Sequence, residues 1–238
     1  MTEMENLFDE GVLVQNIKGA AFFVLLYEHF EDVVINTVKE VYSTPRALDG
    51  EMYDSIDDEY IKALSDKIKN KEKAPFVSYE HLLHRAQEER DIYVNEIIRT
   101  SSVNDGKRFR GSLNWLKEND VFSEAEVDRI LQIRKRRNSM VHELLITLSE
   151  GLSEDDGKMM VDLLAFNRRV NSWRFMEIDA PSMGYKLPEG VTPDDVMGGD
   201  DTVLLGIFRI LFLDEGKQFK EALDELREKY NSEKKNQE

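Results

Sequence analysis

Apolar residues recur every three or four positions over long stretches of the chain, and no stretch of useful length alternates apolar with polar. That period belongs to helices that bury one face. Phe23, Tyr27, Phe30, Val34 and Val38 form one such stripe. It predicts a first helix over 11–42 that stops before Ser43-Thr44-Pro45, because the residue ahead of a proline is pushed out of helical geometry. A polar, acidic stretch follows, with a short surface helix expected over 59–71. Ser78 reads as the N-cap of a helix ending near 99, with Val77 and Leu82 placed as a hydrophobic staple.

After a loop over 101–106, a short helix over 111–119 carries Leu113, Trp115 and Leu116. Ser123 followed three residues later by Glu126 is a capping box that opens a long helix over 124–149. Beyond it the pattern predicts a helix over 154–174, an irregular stretch over 179–201, and an apolar helix over 202–213 buried on all sides. An amphipathic helix over 217–230 and a frayed tail at 231–238 complete the chain. The expected fold class is all-α: a helical bundle over 1–150, a C-terminal helical extension over 151–230 packed on it, and the tail.

Composition narrows the chemistry. A chain of 238 residues buries roughly three-quarters of its unfolded surface and needs no covalent staples. With no cysteine there is no disulfide, thiolate metal site or cysteine nucleophile, and four histidines leave little for zinc, so no metal or other cofactor is expected. The apolar run at 19–26 is too short to span a bilayer and the first ten residues are acidic, which together predict a cytoplasmic protein without a membrane partner. The balance of 32 basic against 48 acidic residues, a net charge of −16, repels polyanions over most of the surface, so any nucleic-acid contact must be local. One segment reverses the sign: 107–137 holds nine basic and five acidic residues.

Projected at the helical period, the capped helix places Val127, Ile130, Leu131, Val141, Leu144, Leu145 and Leu148 on one face. Arg134 and Arg137 fall inside that apolar arc, Arg136 and Glu143 point the opposite way, and Asn138 and His142 share the margin with Lys135 close by. A buried guanidinium requires a carboxylate or a bound anion. Glu31, beside the stripe of the first helix, is the carboxylate expected for Arg134 or Arg137.

The segment Arg137-Asn138-Ser139-Met140-Val141-His142 resembles the Arg-x4-6-His motif of the HEPN superfamily (higher eukaryotes and prokaryotes nucleotide-binding), in which a polar residue follows the arginine. Its place in a late helix, after an aromatic-rich first helix containing Leu25-Leu26-Tyr27-Glu28-His29-Phe30-Glu31, is similar too. The resemblance covers about 16–148 and implies a HEPN-like bundle that acts as a metal-independent endoribonuclease of a toxin–antitoxin, abortive-infection or other defence system. It implies a homodimer whose two motifs meet at one cleft, RNA as substrate, and an antitoxin or other defence-system protein as partner. Arg137, Asn138 and His142 become the catalytic residues, with Arg134, Lys135 and Glu31 supporting them. Two residues after the histidine, where toxins silenced by nucleotidyl transfer carry tyrosine, this chain has Leu144. Arg136 also satisfies the spacing, but its outward projection makes Arg137 the motif arginine.

A non-catalytic HEPN-like module that binds nucleotide, nucleic acid or protein is the competing reading, and the overall acidity favours it. Elsewhere, Asp194-Asp195 and Asp200-Asp201 read as solvated capping rather than a cation site, and His81 and His84 as surface residues. His29 is expected to be exposed, and Trp115 and Trp173 to anchor the core.

Overall fold

The computed structural model describes residues 10–74, 76–99, 106–188, 190–192, 195–196 and 198–212. The sequence expectations for 1–9, 217–230 and 231–238 lie outside them. The chain is predominantly helical. Helix α1 spans Glu10–Tyr42, strands β1 and β2 span Pro45–Leu48 and Glu51–Asp54, and α2 spans Asp58–Lys69. Helix α3, Tyr79–Tyr93, runs on into a π-helical turn at Val94–Ile98, and α4 covers Lys107–Glu118. Then come α5 (Glu124–His142), α6 (Leu144–Glu150), α7 (Glu154–Arg174) with a second π-helical turn at Phe175–Asp179, α8 (Ala180–Ser182) and α9 (Gly199–Phe212).

Local chemistry explains the starts of these helices. Ser78 Oγ accepts from His81 N at 3.2 Å, the N-cap bond expected for α3. Ser123 N donates to Glu126 Oε2 at 2.9 Å while Glu126 N donates to Ser123 Oγ at 3.3 Å, so the capping box of α5 is reciprocal.

The described residues divide into two compact units. One takes the described part of α1 up to Tyr27, Ile133–Ser172, and the described residues from Val191 onward. Its core holds Phe22, Phe23, Leu26, Tyr27, Ile133, Met140, Leu163, Val170 and Leu204. Phe208 and Phe212 place their rings 5.8 and 5.6 Å from that of Phe22. Asn16 Nδ2 donates to Leu148 O at 2.9 Å, tying α1 to α6. Gly151 turns the chain beside that contact with φ of +79°, and a Cβ there would lie 2.7 Å from Asn16 Oδ1, so only glycine fits.

The other unit holds Glu28–Gln132 and the described part of Trp173–Gly190. Phe30, Val34, Val38, Ile97, Phe109, Leu113, Leu116 and Ile130 are buried within it. Leu48, Tyr60, Leu64 and Ala86 form a smaller cluster between the hairpin, α2 and α3. A Cβ on Gly111 would fall 2.1 Å from Ile97 O, so this glycine lets α4 press against the π-helical turn. Glu89 accepts from Arg46 Nη2 at 3.1 Å, from Thr44 Oγ1 at 3.2 Å and from Ser55 Oγ, fastening the hairpin to α3. Trp115 and Trp173 are half-buried and meet edge to face with centroids 5.6 Å apart.

Four features differ from the sequence reading. The hairpin was missed because its strands are four residues each, too short to show alternation; the available signal was Asp49-Gly50, whose φ angles of 55° and 84° match a two-residue hairpin turn. The helix expected over 124–149 breaks at Glu143, whose φ of −113° and ψ of 39° leave helical geometry. Helix α9 is not buried all round: Leu204 is, but Val203 is 61% exposed. His29 is half-buried rather than exposed, and its Nε2 is buried with no hydrogen-bond partner among the described residues.

Candidate functional site

The break at Glu143 governs how α5 presents its residues. The projected arc borrowed Leu144, Leu145 and Leu148 from what is a separate helix, and they drew its centre away from the true buried face. On α5 itself the buried positions are Val127, Ile130, Ile133 and Met140, while Val141 is 49% exposed. The inward meridian therefore passes through Arg137 and is rotated toward Arg136. After the break Thr147 faces inward, and Leu144, Leu145 and Ile146 are exposed.

Arg137 is half-buried, with its guanidinium carbon 5.6 Å from the ring centroid of fully buried Tyr27. The ring's negative face attracts the cation and holds it at a fixed depth. Arg137 Nη1 also donates to Asn138 Oδ1 at 2.8 Å, which orients the half-buried amide. His142 occupies the last turn of α5 and is exposed, as are Lys135 and the apolar residues Val141, Leu144, Leu145 and Ile146 around it. Arg134 is half-buried. Glu31, the carboxylate expected for Arg134 or Arg137, is half-buried and belongs to the other unit. Within its own unit Arg137 is braced by Tyr27 and Asn138.

Arg136 corrects the projection. Instead of pointing to solvent it forms a two-pronged ion pair with Asp156, Nε to Oδ1 at 2.7 Å and Nη2 to Oδ2 at 2.9 Å. The Asp156 side chain is 2% exposed. Asp156 Oδ2 also accepts from Ser153 N and Ser153 Oγ, both at 2.8 Å, so one carboxylate caps α7 and ties it to α5. Burial pushes the Asp156 carboxyl up, but the Arg136 fork and the Ser153 hydrogen bonds outweigh it and hold the group below its ordinary value. The legible sign of this partner was Ser153-x-x-Asp156, a second capping box.

The other candidates are accounted for locally. Asp195 Oδ2 accepts from Thr192 N and Oγ1, both at 2.8 Å. Buried Asp201 accepts from Asn167 Nδ2 at 2.8 Å, Asn171 Nδ2 at 3.2 Å and Gly198 N at 3.1 Å, which closes the start of α9. Asp194 and the Asp200 side chain lie outside the described residues. His81 is exposed, and His84 Nδ1 lies 3.4 Å from Glu88 on the same exposed helix face.

The arrangement at the end of α5 combines a braced guanidinium, an oriented amide and an accessible imidazole. A guanidinium can bind an anion and an imidazole can move a proton. No family model, curated protein or solved structure matches the chain.

Proposed function

We propose that the chain is a metal-independent endoribonuclease of HEPN-like type, acting in a defence or toxin system and cleaving RNA by attack of a ribose 2′-hydroxyl on the adjacent phosphate. The observation that carries this reading is the bracing of Arg137 by Tyr27 and Asn138, on the helix that ends at accessible His142. A guanidinium fixed in this way pairs with non-bridging phosphate oxygens as negative charge builds on them. An imidazole takes and gives protons near neutral pH, which suits it to accept the 2′-hydroxyl proton. The P–O5′ bond then breaks, leaving a 2′,3′-cyclic phosphate, and the departing 5′-oxygen collects a proton. Arg137, Asn138 and His142 include no anionic side chain, the ligand type a divalent cation most needs. Cleavage is accordingly expected to persist in EDTA and to leave cyclic-phosphate ends. Loss of activity on chelation, or products with 5′-phosphate and 3′-hydroxyl termini, would overturn the mechanism; RNA binding without cleavage would favour the non-catalytic module.

One histidine does not serve as acid and base in the same step. A twofold dimer supplies the second, and twofold pairing is the commonest way to duplicate a site. The exposed Val141, Leu144, Leu145 and Ile146 beside His142 are what such an interface requires, because an apolar cluster left in water is costly and pairing two copies covers it. Light scattering is expected to give a dimer, and Leu145→Glu to give a monomer with little activity. A wild-type monomer that cleaves RNA at full rate would refute the shared site.

A further inference from the structure

Up to Tyr27, helix α1 belongs to the same unit as α6, α7 and α9, and several of its faces are already packed. Phe22 meets the rings of Phe208 and Phe212 on α9, Asn16 reaches Leu148 of α6, and Tyr27 lies beneath Arg137 of α5. One face is open. Val14, Ile17, Ala21 and Leu25 are exposed, the three larger side chains at 40, 45 and 46%. Spaced three, four and four residues apart, they form a single apolar stripe about 17 Å long. A stripe of this kind left in water is unfavourable and calls for a partner.

The sequence beyond α9 carries a face of the same pattern. Phe219, Ala222, Leu226 and Tyr230 repeat the spacing of Val14, Ile17, Ala21 and Leu25, with Leu223 among them, while Glu221, Asp224 and Glu228 fall on the opposite side. A lone helix of this length is marginal in water, so the segment needs an apolar surface to hold it. The place where the described chain ends points to α1. Phe212 is its last residue, and its ring lies 5.6 Å from that of Phe22, the residue next to Ala21 of the stripe. The stretch from Phe212 to Phe219 can extend by up to about 24 Å, longer than the stripe itself, so every position on it is within reach.

We infer that the chain's own segment 217–230 docks as a helix on the open face of α1, with Phe219, Ala222, Leu226 and Tyr230 against the stripe formed by Val14, Ile17, Ala21 and Leu25. The equal length and equal spacing of the two stripes let their side chains interdigitate along the whole contact. This assignment goes beyond the RNA-cleavage reading and separates two apolar surfaces of one unit. The stripe of α1 takes the chain's own C-terminal segment, which leaves Val141, Leu144, Leu145 and Ile146 to a second copy.

The test is amide hydrogen exchange on the full-length chain, with a synthetic 217–230 peptide as the reference for an undocked segment. In the full chain the amides of 217–230 are expected to exchange about tenfold or more slowly than in the peptide. Ile17→Glu and Leu226→Glu, one on each stripe, are each expected to return them to the peptide's rate while the amides of α5 keep their protection. Ile17 is exposed and Leu226 lies outside the described core, so both variants keep the fold. Dilution is expected to leave the protection unchanged, because the contact lies within one chain. Exchange at the peptide's rate in the unaltered chain would overturn the assignment, as would protection that survives Ile17→Glu. Protection lost on dilution would assign the stripe to a second copy instead. None of these readouts depends on RNA cleavage.

Discussion

His142→Ala is expected to lower the rate of RNA cleavage by at least about a hundredfold, the lower range for removing a positioned acid or base. Arg137→Ala is expected to cost a comparable factor, because the proposed role of its guanidinium is to meet the developing phosphate charge. The two substitutions differ in their structural cost. His142 is exposed on the last turn of α5, so its loss leaves the fold intact. Arg137 lies over Tyr27 and holds Asn138, so its removal costs about 1–2 kcal/mol of cation–π attraction as well as activity. Arg137→Lys separates charge from geometry: the ammonium keeps the charge and loses the planar fork, so a rate well below wild type is expected with a nearly unchanged melting midpoint. Single-turnover cleavage of a labelled RNA, with thermal melts in parallel, checks all three. A His142→Ala enzyme that cleaves at the wild-type rate would end the catalytic reading.

Arg136→Ala is expected to destabilise the protein by about 3–5 kcal/mol, the usual cost of leaving a buried charge without its partner. For a chain of this length that lowers the melting midpoint by about 10 °C. The stranded group is Asp156, 2% exposed and still needed to cap α7. Adding Asp156→Asn to Arg136→Ala removes the stranded charge and is expected to recover part of the loss. The pH dependence has a definite sign. Because the folded state holds the Asp156 carboxyl below its ordinary value, this stabilisation is fully present above that value and disappears as pH falls through the depressed one. Without Arg136 the depression weakens, so the variant loses less stability on acidification than wild type. A melting midpoint unchanged by Arg136→Ala would show that the ion pair contributes nothing to the fold.

This pair also changes how an activity screen must be interpreted. The outward projection of Arg136 on its own implies that Arg136→Ala spares function. With Arg136 joined to Asp156, the same substitution is expected to lower total activity by loosening α5 against α7. Activity per folded molecule, rather than total activity, distinguishes Arg136 from Arg137.

Helix starts were legible in the sequence because they depend on residues three or four apart. Ser78 and Ser123 cap as their spacing requires, and the stripe from Phe23 to Val38 was identified from period alone because those residues share one face of one cylinder. The candidate residues of α5 were legible as a set for the same reason. Their orientation was not. A projection assumes an unbroken helix, and the departure at Glu143 moved Leu144, Leu145 and Leu148 onto another axis. The hairpin at Asp49-Gly50 carried a local signal, but its holding partner Glu89 lies far along the chain. The pairing of Arg136 with Asp156 and the bracing of Arg137 by Tyr27 join residues distant in sequence. Local periodicity specifies which face of a helix is apolar, whereas the partner of a buried charge depends on which helices pack together, and only the tertiary structure decides that.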